Sequence, residues 1–147
     1  MKMFLIVASL LILGTHSFAN PPEKINEKLL QDFKQNFPNA QNMVWNISTK
    51  TCLVDFFDDL VRTSIIYEKD GTFIRSIRYY KEQVLPYYIK IIVKKKYPEK
   101  KVFGVIEITT SAGMAYYVKL EDSVGFTTVK LDSEGNMCVA EKYMKAN

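Results

Sequence analysis

Apolar residues recur every four positions in two stretches of this chain. In EKINEKLLQDFKQNFP, Ile25, Leu29, Phe33 and Phe37 fall in line and Leu30 widens the stripe, a spacing that predicts an amphipathic helix with one face against a core. Asn20 is placed to cap it, with Pro21 and Pro22 in the first turn. The second stretch, LPYYIKIIVKKKYP, repeats the spacing through Leu85, Ile89, Val93 and Tyr97, with Pro86 in its first turn. Shifting the first set by 60 positions reproduces the second, and Pro38 then meets Pro98.

After each aromatic-proline stop the pattern becomes extended. NMVWNIS (42–48) and CLVDFFDD (52–59) follow the first, and VFGVIEIT (102–109) and AYYVKLED (115–122) follow the second. Rich in β-branched and aromatic residues, these segments predict strands. Ile65 with Tyr67, and Val129 with Leu131, then lead into Asp70-Gly71 and Glu134-Gly135, where glycine supplies the positive φ that a tight hairpin requires. The pattern predicts an α+β fold of tandem duplicated units, 20–81 and 82–147, each a helix packed on an antiparallel sheet of about four strands. Units of ~60 residues bury modest cores and are marginal alone, so the two are expected to pack together.

The first nineteen residues read differently. Lys2, the apolar run Phe4 to Leu13 and the small, polar segment Gly14 to Ala19 have the form of a secretory signal peptide, cut after Ala19. The apolar run is well short of the ~20 residues that span a bilayer, so no stable membrane anchor is expected after cleavage. The expected location is the periplasm or outside the cell. His16, the single histidine, leaves with that segment. A mature chain without histidine cannot build a Ser-His or Cys-His pair and lacks the commonest zinc ligand. No enzyme activity, cofactor or metal is therefore expected.

Charge narrows the partners. The mature chain keeps 19 basic and 16 acidic residues, a net charge of +3, which is mild beside the one-sided excess of nucleic-acid binders. The run KKKYPEKKV (94–102) is read as the solvent side of a helix end and a loop, since cations favour a helix C-terminus. Asp58-Asp59 and Glu121-Asp122 are read as solvated turns. Cys52 and Cys138 lie 86 positions apart; both a disulfide and two separately packed thiols are open.

Adjacent aromatic pairs, Tyr79-Tyr80, Tyr87-Tyr88 and Tyr116-Tyr117, matter because strand neighbours point to opposite faces. With Leu53, Phe57, Tyr116, Val118 and Leu120 toward the helices, Val54, Phe56 and Tyr117 stand on an open face framed by Arg78, Tyr80 and Lys119. That assignment turns Asp55 inward. Trp45, Phe56, Arg78, Tyr80 and Tyr117 are then the candidate partner-binding residues, of the types that interface hot spots favour.

The order of helix, FPNA (37–40), a strand with Met43 and Trp45, an aromatic hairpin, Leu85-Pro86, a lysine-rich helix, Tyr97-Pro98 and the same strands again resembles the PepSY-like family of exported bacterial proteins. That family is similar in fold to the β-lactamase-inhibitory protein. The resemblance covers nearly all of Pro22 to Tyr143 and implies a non-enzymatic exported protein whose helix-free sheet face is concave and holds a protein or peptide. It carries no catalytic residues. A second expectation is an envelope sensor or scaffold that binds a small apolar ligand between the two repeats.

Overall fold

The computed structural model describes residues 24–146. The segment expected to be a signal peptide, and Asn20, Pro21 and Pro22, lie outside them. The described chain runs α1 (Glu27–Asn36), β1 (Gln41–Ile47), β2 (Thr51–Asp58), β3 (Val61–Glu68), β4 (Phe73–Tyr80), a single 3-10 turn (Glu82–Val84), α2 (Tyr87–Lys96), β5 (Lys101–Thr110), β6 (Gly113–Glu121), β7 (Gly125–Asp132) and β8 (Met137–Met144). The helix start is set by Asn26, whose side chain accepts hydrogen bonds from the backbone N–H groups of Lys28 at 2.9 Å and Leu29 at 3.4 Å. Satisfying those two orphan donors fixes the first turn.

The expectation of two helix-on-sheet units does not hold. Among the described residues all eight strands form one antiparallel sheet in the order β1 to β8, so the fold there is mainly β, with two ten-residue helices on it. The join is β4 with β5, paired from Arg75↔Thr110 to Tyr80↔Val105. A four-stranded sheet would leave an edge of unpaired N–H and C=O groups there, and the antiparallel pairing satisfies both edges at once.

Both helices lie on one face, and the core beneath them forms two clusters. Under α1, Phe33 meets Val54, Phe56 and Ile65, with the Phe33 ring edge-on to Phe56 at 5.0 Å and to Trp45 at 5.3 Å. Under α2, Ile89 and Val93 pack on a larger set that includes Val105, Val118, Leu120, Val129 and Leu131. Each fully buried side chain of this size contributes ~1.5 to 3 kcal/mol. The turn glycines Gly71 (φ +96°) and Gly135 (φ +88°) hold the left-handed conformation expected of them. At Gly135 a Cβ would also come within 2.4 Å of the Ile92 side chain, so the turn and α2 close on each other there.

Lys94, Lys95 and Lys96 form the exposed last turn of α2, and Lys94 Nζ lies 3.5 Å from Glu82. Both cysteines are free, Cys52 buried and Cys138 exposed. They sit on β2 and β8, six strand spacings or ~29 Å apart, far beyond the reach of a disulfide. No described helix is long and apolar enough to cross a membrane.

Candidate interaction surface

Strand pairing assigns each side chain to a face. Val54 opposes Ile65 and Phe56 opposes Thr63, all buried and all toward the helices. Thr63 opposes Arg78, Arg78 opposes Glu107, and Glu107 opposes Tyr116. The helix face therefore carries Phe56, Arg78 and Tyr80, and also Trp45, which opposes Val54.

This corrects the sequence-derived face assignment for four of the five candidates. Phe56 (1% exposed) and Tyr80 (5% exposed) are core residues, and Trp45 is half-buried against Phe33. Only Tyr117 stands on the open face, opposite Ile106 and Lys130. The physical reason is Asp55. The sequence reading turned it inward, whereas on the open face it accepts a hydrogen bond from Ser64 and lies 3.9 Å from Arg62. An unpaired inward carboxylate costs far more than the swap of Phe57 for Phe56.

Arg78 is held on the helix face by a partner from the other half of the chain. Its Nη1 donates to Glu107 Oε1 at 2.8 Å, and the Tyr80 hydroxyl donates to Glu107 Oε2 at 2.6 Å. Glu107 is 4% exposed, and a buried carboxylate is tolerable only with such pairing. Burial first, then the bond to Glu107 and its charge, push the Tyr80 phenol above the ordinary tyrosine range. Tyr116, beside it, is pushed up by burial and then by its bond with Tyr88. Arg78 and Tyr80 on β4 are thus tied to Glu107 on β5 across the join.

The helix-free face holds a hollow of about 700 Å³. Its lining includes Phe57, Tyr79, Phe103, Ile106, Tyr117 and Lys119. Phe57, Tyr79, Phe103 and Ile106 each expose 38 to 46% of their surface, a contiguous apolar patch of the kind that marks a contact site. Phe103 reaches it through a bulge. Val102 opposes Leu120, Gly104 opposes Lys119, and the register shifts between them, so two successive residues face the hollow before Val105 returns to the core. Gly104 inside VFGVIEIT was the sequence signal for that bulge. A Phe103–Phe126 edge contact at 5.3 Å extends the patch toward β7.

The acidic turns act locally. Asp122 pairs with Lys100 and accepts from the N–H groups of Val124 and Gly125 at 2.9 and 2.8 Å. These bonds, that with Lys100 first, lower its pKa to about 2. Among the described residues no cluster of three or more His, Cys, Asp or Glu side chains is arranged to hold a metal.

The eight-stranded sheet, with two helices on one face and a hollow on the other, defines a BLIP-like fold. In structure the chain is similar to a BLIP-like protein from Bacteroides fragilis, with a TM-score of 0.62 at 12% identity, covering 85% of this chain and 91% of that one. It is also similar to a DUF2874 family protein from Bacteroides uniformis (TM-score 0.58, 11% identity, 80% and 88% covered). A candidate periplasmic protein from Bacteroides eggerthii gives 0.57 at 10% identity, with 83% and 90% covered. No family model matches the sequence, and no curated protein does. The likeness to an inhibitor-like fold is thus supported, and the PepSY-like resemblance is not.

Proposed function

We propose that this chain is an exported, non-enzymatic binding module that holds a protein or peptide in the hollow of its helix-free sheet face. The observation that carries the reading is the hollow itself. A patch of exposed aromatic and aliphatic side chains on a face that neither helix covers is where an interface places its central anchors. The BLIP-like likeness supports a binding role, and the likeness to a candidate periplasmic protein supports export. Inhibition of a β-lactamase is one form such binding could take, but a likeness at 12% identity carries no partner over to this chain.

A second reading rests on a groove on the helix side. It has a volume of about 230 Å³, and Phe37, Val61, Ile65, Tyr67 and Phe73 line it, so a small apolar ligand could lodge over β3. Its volume is below the ~300 to 1,000 Å³ of most ligand pockets, which ranks it second.

The test is site-specific photocrosslinking in an envelope extract. A photoreactive residue at Tyr117 should give one stoichiometric protein adduct, and the same residue at Tyr87, exposed on α2, should give none. Equal labelling at both positions removes the open-face reading, and a co-purified small molecule seen by native mass spectrometry favours the groove.

A further inference from the structure

We infer that the occupant of the hollow is an acidic segment, with carboxylates interspersed among aromatic or aliphatic side chains; this rests on the open-face reading above. The cations around the hollow are placed unusually. Lys119 Nζ lies 4.5 Å from the Phe126 ring centroid and 5.3 Å from that of Phe103, and Lys81 Nζ lies 4.8 Å from Phe103. Lys130 sits 5.8 Å from the Tyr117 ring, and the Arg62 guanidinium 5.8 Å from that of Tyr79. Aromatic faces thus hold positive charge around an apolar floor.

Three cations, Arg62, Lys81 and Lys119, line the hollow with one carboxylate, Glu141, and Asp55 offsets Arg62 at 3.9 Å, which leaves the lysines. Away from it, Arg78, Lys94, Lys100 and Lys145 each pair with a carboxylate. Among the described residues no carboxylate pairs with Lys81, Lys119 or Lys130. The occupant's chemistry follows from desolvation. A neutral apolar segment would bury these ammonium groups without a counter-charge, which is costly, and a basic segment would meet like charge. A segment that is both apolar and acidic covers the floor and neutralises the rim, the complementarity that also steers encounter.

The test uses three fluorescently labelled synthetic peptides of about twelve residues, long enough for ~40 Å of extended chain. One alternates Asp and Glu with Phe and Leu, the second replaces the acids by Asn and Gln, and the third replaces them by Lys. Anisotropy titration against the purified chain should rank the acidic peptide about tenfold or more tighter than the amide peptide. The gap should shrink in about 0.5 M salt, where the Debye length falls to a few ångströms. In the double variant Lys119→Glu, Lys130→Glu, with its fold checked by circular dichroism, the lysine peptide should bind more tightly than the acidic one. Equal binding of acidic and amide peptides, both lost in Phe103→Ala and Tyr117→Ala, would refute the charge selection and leave the open-face reading standing. Acidic-peptide binding indifferent to those alanines would remove the open-face reading itself. Binding of none of the peptides overturns the inference, as does binding of anionic phosphatidylglycerol vesicles in place of the acidic peptide.

Discussion

Phe56 and Tyr117 are both large aromatic strand residues, yet they have opposite roles. The Phe56 ring lies 5.0 Å from Phe33 and 4.9 Å from Phe37 and is almost fully buried. Phe56→Ala removes that packing and is expected to cost ~3 to 5 kcal/mol. Tyr117→Ala is expected to cost no more than ~1 kcal/mol, because its ring stands over the hollow rather than in the core. Urea denaturation of the two variants checks both values; a Tyr117→Ala loss as large as that of Phe56→Ala would show that the ring is structural. Tyr80 illustrates a polar counterpart. Tyr80→Phe deletes the hydroxyl that donates to buried Glu107, a charge-assisted bond whose loss should cost ~1 to 3 kcal/mol at neutral pH. Because the folded-state pKa of Tyr80 is raised, its contribution is fully present below the unfolded value of ~10 and is lost as pH rises beyond it. The wild type should therefore lose stability more steeply than Tyr80→Phe above about pH 10, measured as the denaturation midpoint against pH.

At the scale of elements, the β6–β7 turn is organised by Asp122, which joins Lys100 after α2 to the backbone of Val124 and Gly125. Its folded-state pKa is depressed to about 2, so the stability it gives is present above the unfolded value of ~3.9 and disappears as pH falls toward about 2. Asp122→Asn should lower the midpoint near neutrality and flatten its dependence on pH across that acid window, so that variant and wild type converge as pH falls toward about 2. An unchanged acid limb would mean that the turn does not depend on the carboxylate's charge. The bulge at Phe103 and Gly104 works at the same scale. It brings one more ring to the open face without shifting the core register of Val105.

For the molecule as a whole, the continuous sheet raises the question of cooperativity, because its core is split into an α1 cluster and an α2 cluster. Trp45, the single tryptophan, lies in the first, so its fluorescence reports on that side alone. Ile89 is fully buried in the second, and Ile89→Ala should cost ~2 to 5 kcal/mol. With β4 and β5 paired along their length and tied by the Arg78–Glu107–Tyr80 group, the Trp45 transition should shift by the same amount as the circular dichroism transition. A Trp45 midpoint that stays in place while the other falls would show that the two sides unfold independently.

Local signals in the sequence were enough to place β1 to β3, β5 to β7 and the α2 helix and to predict the Gly71 and Gly135 turns, because four-residue spacing, two-residue alternation and positive-φ glycines act within a few residues of each other. The parity of β6 was legible too: Tyr116, Val118 and Leu120 are buried and Tyr117 is open, since small and branched apolar residues alternate there with Lys119. In β2 the pattern CLVDFFD was ambiguous, with apolar residues at both parities, and Asp55 was the discriminating residue. Only the tertiary structure decided that β4 pairs with β5. That choice merges the sheets, pairs Arg78 with the buried Glu107, 29 positions away, and leaves Phe57, Tyr79, Phe103 and Ile106 around one hollow. A period of two states that neighbours differ in face; which face is inside depends on partners that the chain brings together only when it folds.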